Sequence, residues 1–329
     1  MVMKEFVRSF PKHIDEAIKI GSSINLNTSI TDVDNIVISG QGGSAIGGVV
    51  VKNLLHDKIS IPIFINRDYK IPSFVNNRTL FIASSYSGNT EETISALNTA
   101  KEKTPFIFCI CSGGEILKIA QKNAFNYILI PSGGAPRGML CYSIVQLLFV
   151  ICKLSGFSLE NMKKELLSAK EYLIAKQTEI IKIGRHVSSL ISHKMPFIYA
   201  FPEFEGVAIR FKQQLNENSK RHACYNIIPE MNHNEIVPWI NKNICVVPIF
   251  IKGNTSNRNQ KRMEISISKI KKNVDELIEL KVNNSNYLIQ YLYFIHIVDW
   301  ISIMIAEKDN IDPDDIRLIN ALKKELKVI

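Results

Sequence analysis

Short apolar, β-branched runs alternate with helix-compatible stretches along most of the chain, and this alternation limits the possible folds most. Strands that are separated by helices pair in parallel, because each helix carries the chain back across the sheet. The sequence therefore predicts an α/β fold in which parallel sheets are flanked by helices. The predicted strands are 35–39, 61–65, 79–83, 105–110, 127–130, 196–200, 223–227, 244–251 and 276–280.

A long helical region separates two such alternating series. It covers residues 138–192 with a break near 154–158, and a chain of 329 residues is long enough for two domains. We therefore expect a first domain over residues 1–153 and a second, similarly built domain over residues 154–329. The predicted helices outside this region are 46–56, 90–103, 115–122, 206–219, 257–272, 285–306 and a last one from Pro313 to about Leu326.

The composition indicates an ordinary globular protein. Hydrophobic residues make up 46% and charged residues 22% of the chain. No apolar run is expected to span a membrane, and the charged N-terminal segment does not resemble a signal peptide, so we expect a soluble, cytoplasmic protein. The net charge is +9, but the lysines are dispersed and no nucleic-acid-binding motif occurs. The six cysteines include no C-x-x-C pair, which favours reduced, buried thiols over disulfides or a metal site.

A glycine-rich loop, GQGGSAIGG, follows the first predicted strand. It covers residues 40–48 and precedes a helix that is expected to begin near Ala45. Ligands of parallel sheets bind at the carboxyl ends of the strands, and glycines leave main-chain N–H groups open to an anion. The spacing differs from the dinucleotide-binding fingerprint. Close packing of the strand on the helix would also explain this loop.

A second loop, SSYSGNTEET, follows the strand 79–83. Ser85, Ser87 and Thr90 place three hydroxyl groups at the start of the next helix, where free N–H groups attract a phosphate. Asn89 and Glu92 are expected to form a capping box for that helix. Capping alone does not account for the other hydroxyl groups, so the loop favours phosphate binding.

A third loop, PSGGAPRGML, presents Arg137 after the strand 127–130. A guanidinium group at the carboxyl end of a strand can bind an anion or stabilise developing negative charge. A single arginine is more often a surface residue. Its place beside two other loops of the ligand-binding type favours a role in the same site.

These motifs occur together with two others, QLNENSK over residues 214–220 and PEMNHNEI over residues 229–236. The combination G-x-G-G-S-A, S-x-S-G-N-T-x-E-T and P-x-G-x-x-P-R resembles the bifunctional phosphoglucose/phosphomannose isomerase family of the sugar isomerase (SIS) superfamily. The resemblance extends over nearly the whole chain. It implies two SIS-type domains and an aldose–ketose isomerase that interconverts glucose 6-phosphate and fructose 6-phosphate through a cis-enediol. It implies no metal and no cofactor.

The resemblance also implies roles for individual residues. Glu217 would move the proton between C1 and C2, and His233 would open the sugar ring from the neighbouring subunit of a homodimer. Arg137 would stabilise the enediolate, and Lys323, whose neighbour is Lys324, would lie over the active site. The residues implied as sugar-phosphate ligands are Gly43, Ser44, Ser85, Ser87, Thr90 and Arg137.

The chemistry of isomerisation fits these residue types, although each has an ordinary structural explanation. A carboxylate can take a proton from one carbon and return it to the next, and a histidine can exchange a proton near neutral pH. A solvated helix-end glutamate and a loop histidine that caps a turn are the alternatives for Glu217 and His233. Glu235 is a candidate for orienting the histidine loop, and His296 is expected in the core or an interface.

Two features leave the function partly open. The family often carries threonine and proline where this chain has Asp314 and Asp315, and this threonine has been linked to the use of mannose 6-phosphate. Isomerisation of that sugar therefore stays an open expectation. SIS domains also regulate, so a non-catalytic protein that binds sugar phosphates is the alternative function. A hydrolase or transferase is less favoured, because no nucleophile motif or metal cluster occurs.

Overall fold

The structure, a computed structural model, describes residues 2–23, 33–191, 193–242 and 245–326. Residue 192 at the end of the predicted helical region and residue 244 at the start of a predicted strand lie outside these ranges, as do the chain ends at 1 and 327–329. Within the described residues the chain forms two parallel sheets flanked by helices. The predicted α/β class is confirmed.

Five parallel strands form the first sheet. They are β1 (Asn35–Ser39), β2 (Ile63–Asn66), β3 (Thr79–Ser84), β4 (Ile107–Cys111) and β5 (Asn126–Leu129). Their order is β2-β1-β3-β4-β5, and in sheets of this order ligands bind between β1 and β3, where the winding of the chain reverses. Ser39 pairs with Ala83 at the ends of these two strands, so the glycine and serine loops begin side by side.

Four parallel strands form the second sheet. They are β6 (Met195–Ala200), β7 (Cys224–Ile227), β8 (Val246–Lys252) and β9 (Ile278–Lys281), in the order β7-β6-β8-β9. The described strands agree in number and order with the predicted ones, with boundaries that differ by a few residues. The proposed division between residues 153 and 154 falls in the last turn of the helix that follows the first sheet.

The helices connect the strands and cover both sheets. They are α1 (Val2–Ser22), α2 (Gly42–Leu55), α3 (Glu91–Ala100), α4 (Gly114–Lys122), α5 (Leu140–Ser155), α6 (Leu159–Ile191), α7 (Glu205–Ser219), α8 (Asn257–Ile270), α9 (Tyr287–Lys308) and α10 (Arg317–Leu326). Short 3₁₀ turns occur between several of them. The predicted break in the long helical region lies between α5 and α6.

Two of the helices are apolar around most of their circumference. The stretches Pro136–Ser155 and Tyr287–Lys308 are long and apolar enough to span a membrane, so the expectation that no run reaches this length is wrong. Of their most apolar windows, 83% and 100% are buried within the protein, as in the core helices of a globular protein. The expectation of buried thiols holds for Cys109, Cys111, Cys141 and Cys152, whereas Cys224 is partly buried and Cys245 is exposed.

Three helices differ most from the sequence-based expectation. Helix α1 was not predicted, because its many charges obscure an apolar stripe whose members include Phe10 and Ile14. Helix α2 begins at Gly42 rather than near Ala45. Helix α10 begins at Arg317 rather than at Pro313, since the preceding segment uses main-chain carbonyl groups to bind side chains of other elements.

Candidate active site

The glycine loop after β1 lies against the loops that follow β3 and β5. A Cβ atom on Gly40 would lie 2.7 Å from the carbonyl oxygen of Ser84, and one on Gly43 would lie 3.2 Å from the carbonyl oxygen of Pro136. A side chain at Gly40 would therefore force the backbone of two strands apart. The absence of side chains here allows the three loops to meet at the edge of the first sheet.

The serine loop is organised by hydrogen bonds between its own hydroxyl groups. Ser85 Oγ and Thr90 Oγ1 are 2.8 Å apart, and Ser87 Oγ accepts a 3.2 Å hydrogen bond from the N–H of Asn89. Ser44 Oγ accepts a 3.2 Å hydrogen bond from the N–H of Tyr86, which links this loop to the glycine loop. The predicted hydroxyl groups are therefore brought together near the N-terminus of α3.

The predicted capping box is wrong. Thr90, not Asn89, is the N-cap of α3, and its side chain makes no capping hydrogen bond. The Asn89 carbonyl oxygen Oδ1 instead accepts a 3.0 Å hydrogen bond from the N–H of Glu115 at the start of α4. This long-range contact outweighs local capping, and it leaves the first N–H groups of α3 without a capping side chain beside the hydroxyl cluster.

Arg137 connects the first sheet to elements of the second half of the chain. Its side chain is 5% exposed, and Nε donates a 2.7 Å hydrogen bond to Asn218 Oδ1. Nη1 lies 3.4 Å from Glu217 Oε2, and Nη2 donates to the carbonyl oxygen of Pro313. Burial lowers the pKa of Arg137, while the carboxylates of Glu217 and Asp314 act in the opposite direction. The guanidinium group still carries its charge at neutral pH.

Glu217 lies in the last turn of α7, and its side chain is 30% exposed. It lines a cavity of about 1140 Å³ that extends to the start of α10. Lys220 and His222 line the same cavity. The helix end is held by Asn218, whose Nδ2 group donates a 2.9 Å hydrogen bond to Ser302 Oγ on α9. The Glu217 carboxylate thus lies at the cavity and beside the guanidinium group of Arg137.

A buried ion pair fixes the helix that carries Glu217. The guanidinium group of Arg210 makes bonds of 2.9 and 2.7 Å to the two carboxylate oxygens of Asp299, and Gln214 Nε2 donates a 2.9 Å hydrogen bond to the same carboxylate. All three residues are buried. Sequence analysis missed this pair; the signal for it was polar residues one turn apart on the buried face of α7.

His233 ends a short 3₁₀ turn, Glu230–His233, and is exposed. It is not among the residues that line the Glu217 cavity, so the described chain does not bring these two predicted residues into one cavity. Glu235 accepts hydrogen bonds of 2.8 Å from the Tyr199 hydroxyl and 2.7 Å from Asn226 Nδ2. These bonds attach the histidine loop to the second sheet, which is compatible with the orienting role expected for Glu235.

The residues that line the Glu217 cavity differ from the predicted site residues in two respects. Lys323 and Lys324 lie on the exposed helix α10, and neither lines the cavity that contains Glu217. His222, which sequence analysis did not single out, does line it. A signal was available, because His222 follows the QLNENSK motif by two positions. In the described part of the chain, no group of three or more His, Cys, Asp or Glu side chains is arranged to hold a metal ion.

Two sheets of parallel strands with hydroxyl- and glycine-rich loops at one edge define the class of sugar isomerase, or SIS, domain proteins. A family model of the bacterial phospho-glucose isomerase C-terminal SIS domain matches residues 184–326. The C-terminal domain of glucosamine-fructose-6-phosphate aminotransferase from Francisella tularensis has a similar fold. Its TM-score is 0.79 at 16% identity, with 96% of this chain and 98% of that chain covered.

Two relatives that align with nearly the whole chain identify its family within this class. A bifunctional phosphoglucose/phosphomannose isomerase from Caldicellulosiruptor bescii is 36% identical over 337 aligned positions, which cover 99% of each chain. A protein of the same name from Aquifex aeolicus is 33% identical, over 91% of this chain and 92% of the relative. The chain belongs to the bifunctional phosphoglucose/phosphomannose isomerase family, as the sequence motifs predicted.

Proposed function

We propose that this protein is an aldose–ketose isomerase that interconverts glucose 6-phosphate, mannose 6-phosphate and fructose 6-phosphate. Full-length similarity to the family supports the activity. The observation that carries the proposal is the contact between Arg137 and Glu217, which joins the edge of the first sheet to a carboxylate that faces a cavity. A non-catalytic sugar-phosphate-binding protein, the alternative, has no need for this pair of groups.

The phosphate group of the substrate binds at the first sheet. Ser85 and Thr90 share one hydrogen bond, so one hydrogen of this pair, the hydroxyl hydrogen of Ser87 and the first N–H groups of α3 offer donors to its oxygen atoms, and the helix dipole favours its negative charge. Gly43 lets the main chain of the neighbouring loop approach closely, and Ser44 Oγ links that loop to the serine loop through the N–H of Tyr86. No lysine is required for this mode of binding.

Glu217 acts as the base. In the aldose-to-ketose direction, its carboxylate takes the proton from C2 of the open-chain sugar and returns it to C1, while a proton moves from O2 to O1. Negative charge develops on these oxygens in the enediolate. Arg137 uses three of its five N–H groups within the described chain, so two remain to stabilise that charge.

A coupled assay with each of the three hexose 6-phosphates tests the activity. We expect Glu217→Gln to lower kcat by about a hundredfold or more, because general-base catalysis contributes this much, while binding of the sugar phosphate is retained. Glu160→Gln, on an exposed side chain at the start of α6, is the matched control and should leave kcat unchanged. Sugar-phosphate binding by the wild-type protein without turnover would favour the alternative function.

The proposal includes a homodimer in which His233 of one subunit opens the sugar ring in the site of the other. This arrangement is compatible with the position of His233, which, like the predicted phosphate ligands, is not among the residues that line the Glu217 cavity of its own chain. Mixing Glu217→Gln and His233→Asn subunits tests it, since mixed dimers would contain one intact site. We expect about a quarter of wild-type activity to return, because half of the random dimers are mixed. No recovery after subunit exchange would exclude a shared site.

Two further parts of the proposal come from sequence alone. Lys323 is expected to reach over the active site in the assembled enzyme, where its ammonium group would lie near the substrate. A cytoplasmic location is expected from the composition. Fractionation of cells that express the tagged protein would test the location.

A further inference from the structure

Lys220 has a main-chain conformation that its residue type rarely adopts. It follows the last turn of α7 with φ of +54°, in the left-handed region where glycine is strongly favoured. A glycine would satisfy the backbone there without strain. The presence of lysine therefore raises the question of what its side chain does that glycine could not do.

The ammonium group of Lys220 connects two parts of the site. Nζ donates a 2.7 Å hydrogen bond to the main-chain carbonyl of Glu217 and a 2.8 Å hydrogen bond to that of Asp312. The first of these carbonyls is at the end of a helix, where carbonyl groups lack intrahelical partners. The ammonium group thus attaches the last turn of α7 to the segment that precedes α10.

The same segment is bound by the other cation of the site. The guanidinium group of Arg137 donates to the carbonyl of Pro313, next to Asp312, and contacts the carboxylate of Glu217. The main chain and the side chain of Glu217 are therefore held by two different cations, and both cations are attached to adjacent carbonyl groups of one segment. Such a closed set of contacts restricts where the carboxylate can lie.

We propose that Lys220 is a positioning residue of this enzyme: it fixes the main chain of Glu217 against residues 312–313 and so holds the carboxylate beside Arg137. The inference rests on the proposed function for Glu217. Burial and the nearby Arg137 lower the pKa of Lys220, as expected for an ammonium group that is partly removed from water at a crowded site. A small displacement of a catalytic group can lower turnover a hundredfold.

Substitution of Lys220 by glycine distinguishes the role of the lysine side chain from the effect of its left-handed backbone. Lys220→Gly removes the ammonium group but relieves the left-handed strain. Ala124→Gly is the matched control, because Ala124 has φ of +55° in the turn between α4 and β5 and is not part of the site. We expect Lys220→Gly to lower kcat about tenfold, with an unchanged KM and no loss of thermal stability. Ala124→Gly should leave kcat unchanged.

Two further measurements make the result unambiguous. Lys220→Arg keeps a cation at the site and should recover part of kcat. Hydrogen exchange of the amides of residues 312 and 314–316 should be faster in Lys220→Gly than in the wild type or in Ala124→Gly. This second measurement does not depend on activity, so it tests the attachment even if the isomerase assay fails. Unchanged exchange, an unchanged kcat, or a raised KM with normal kcat in Lys220→Gly would overturn the proposal.

Discussion

The guanidinium group of Arg210 donates a 2.9 Å hydrogen bond to the main-chain carbonyl of Arg137, 73 residues earlier in the chain. The same guanidinium group pairs with the buried carboxylate of Asp299 on α9. One side chain on α7 thus holds both the turn that presents Arg137 and the core helix behind it. The helix that carries Glu217 and the loop that carries Arg137 are aligned by a contact in the interior, outside the site itself.

Removing the partner of Arg210 should therefore destabilise the whole fold. Asp299→Ala leaves a buried guanidinium group without its counter-charge, and we expect a loss of about 3–5 kcal/mol in the free energy of unfolding. Urea denaturation measures it. The control is Asp34→Ala, which breaks the exposed pair with Arg78 and should have a much smaller effect. Equal losses in both variants would contradict the importance of burial.

Gly88 allows the serine loop to approach the loop after β4. Its φ is +67°, and a Cβ atom would lie 1.8 Å from the carbonyl oxygen of Gly113. We expect Gly88→Ala to displace the loop and to raise the KM for the sugar phosphates. It should also lower the free energy of unfolding by about 1–3 kcal/mol more than the strain of a left-handed alanine does by itself. Calorimetry and steady-state kinetics measure these changes. Gly156→Ala, where φ is +70° and no atom lies within 4 Å, is the control for strain alone.

His296 should make the protein less stable in acid. Burial lowers its pKa to about 3, while in the unfolded chain the pKa is the ordinary 6.5. Its neighbours are Gln177, which lies 3.1 Å from Nε2, and the rings of Phe10 and Trp300. Between pH 6.5 and 3 the unfolded chain binds a proton that the folded protein excludes, so stability falls as pH falls.

The expected contribution of His296 is about 1.4 kcal/mol per pH unit well below pH 6.5. Urea denaturation at a series of pH values should give a shallower decline for His296→Gln than for the wild type. His193→Gln, at an exposed position, is the control and should follow the wild-type curve. Parallel curves for the wild type and His296→Gln would show that His296 titrates normally in the folded protein.

Lys323 and Lys324 are adjacent on the exposed helix α10, which makes each the control for the other. If Lys323 lies over the active site in the assembled enzyme, Lys323→Met should lower kcat about tenfold or more by removing a cation near the enediolate. Lys324→Met should be close to the wild type. Steady-state kinetics on fructose 6-phosphate decide between them, and a loss confined to Lys324→Met would reassign the role.

Local patterns of sequence accounted for most of the fold. The alternation of β-branched runs and helices predicted parallel sheets, because each pattern needs only neighbouring residues to be recognised. Helix α1 was the main omission, since its apolar stripe is diluted by charges. The predicted capping role of Asn89 was wrong because its side chain binds a distant N–H group, that of Glu115, instead of the N–H groups of its own helix.

Sequence by itself determined the alternating strands and helices, the loops rich in glycine and hydroxyl groups, and the motifs that place this chain in its family. Only the tertiary structure decided which charges meet. Arg137 reaches Glu217 and Pro313 across 80 and 176 positions of sequence, and Arg210 reaches Asp299 across 89. Such contacts depend on how two sheets and their helices pack, and no local pattern encodes the distance between residues so far apart in the chain.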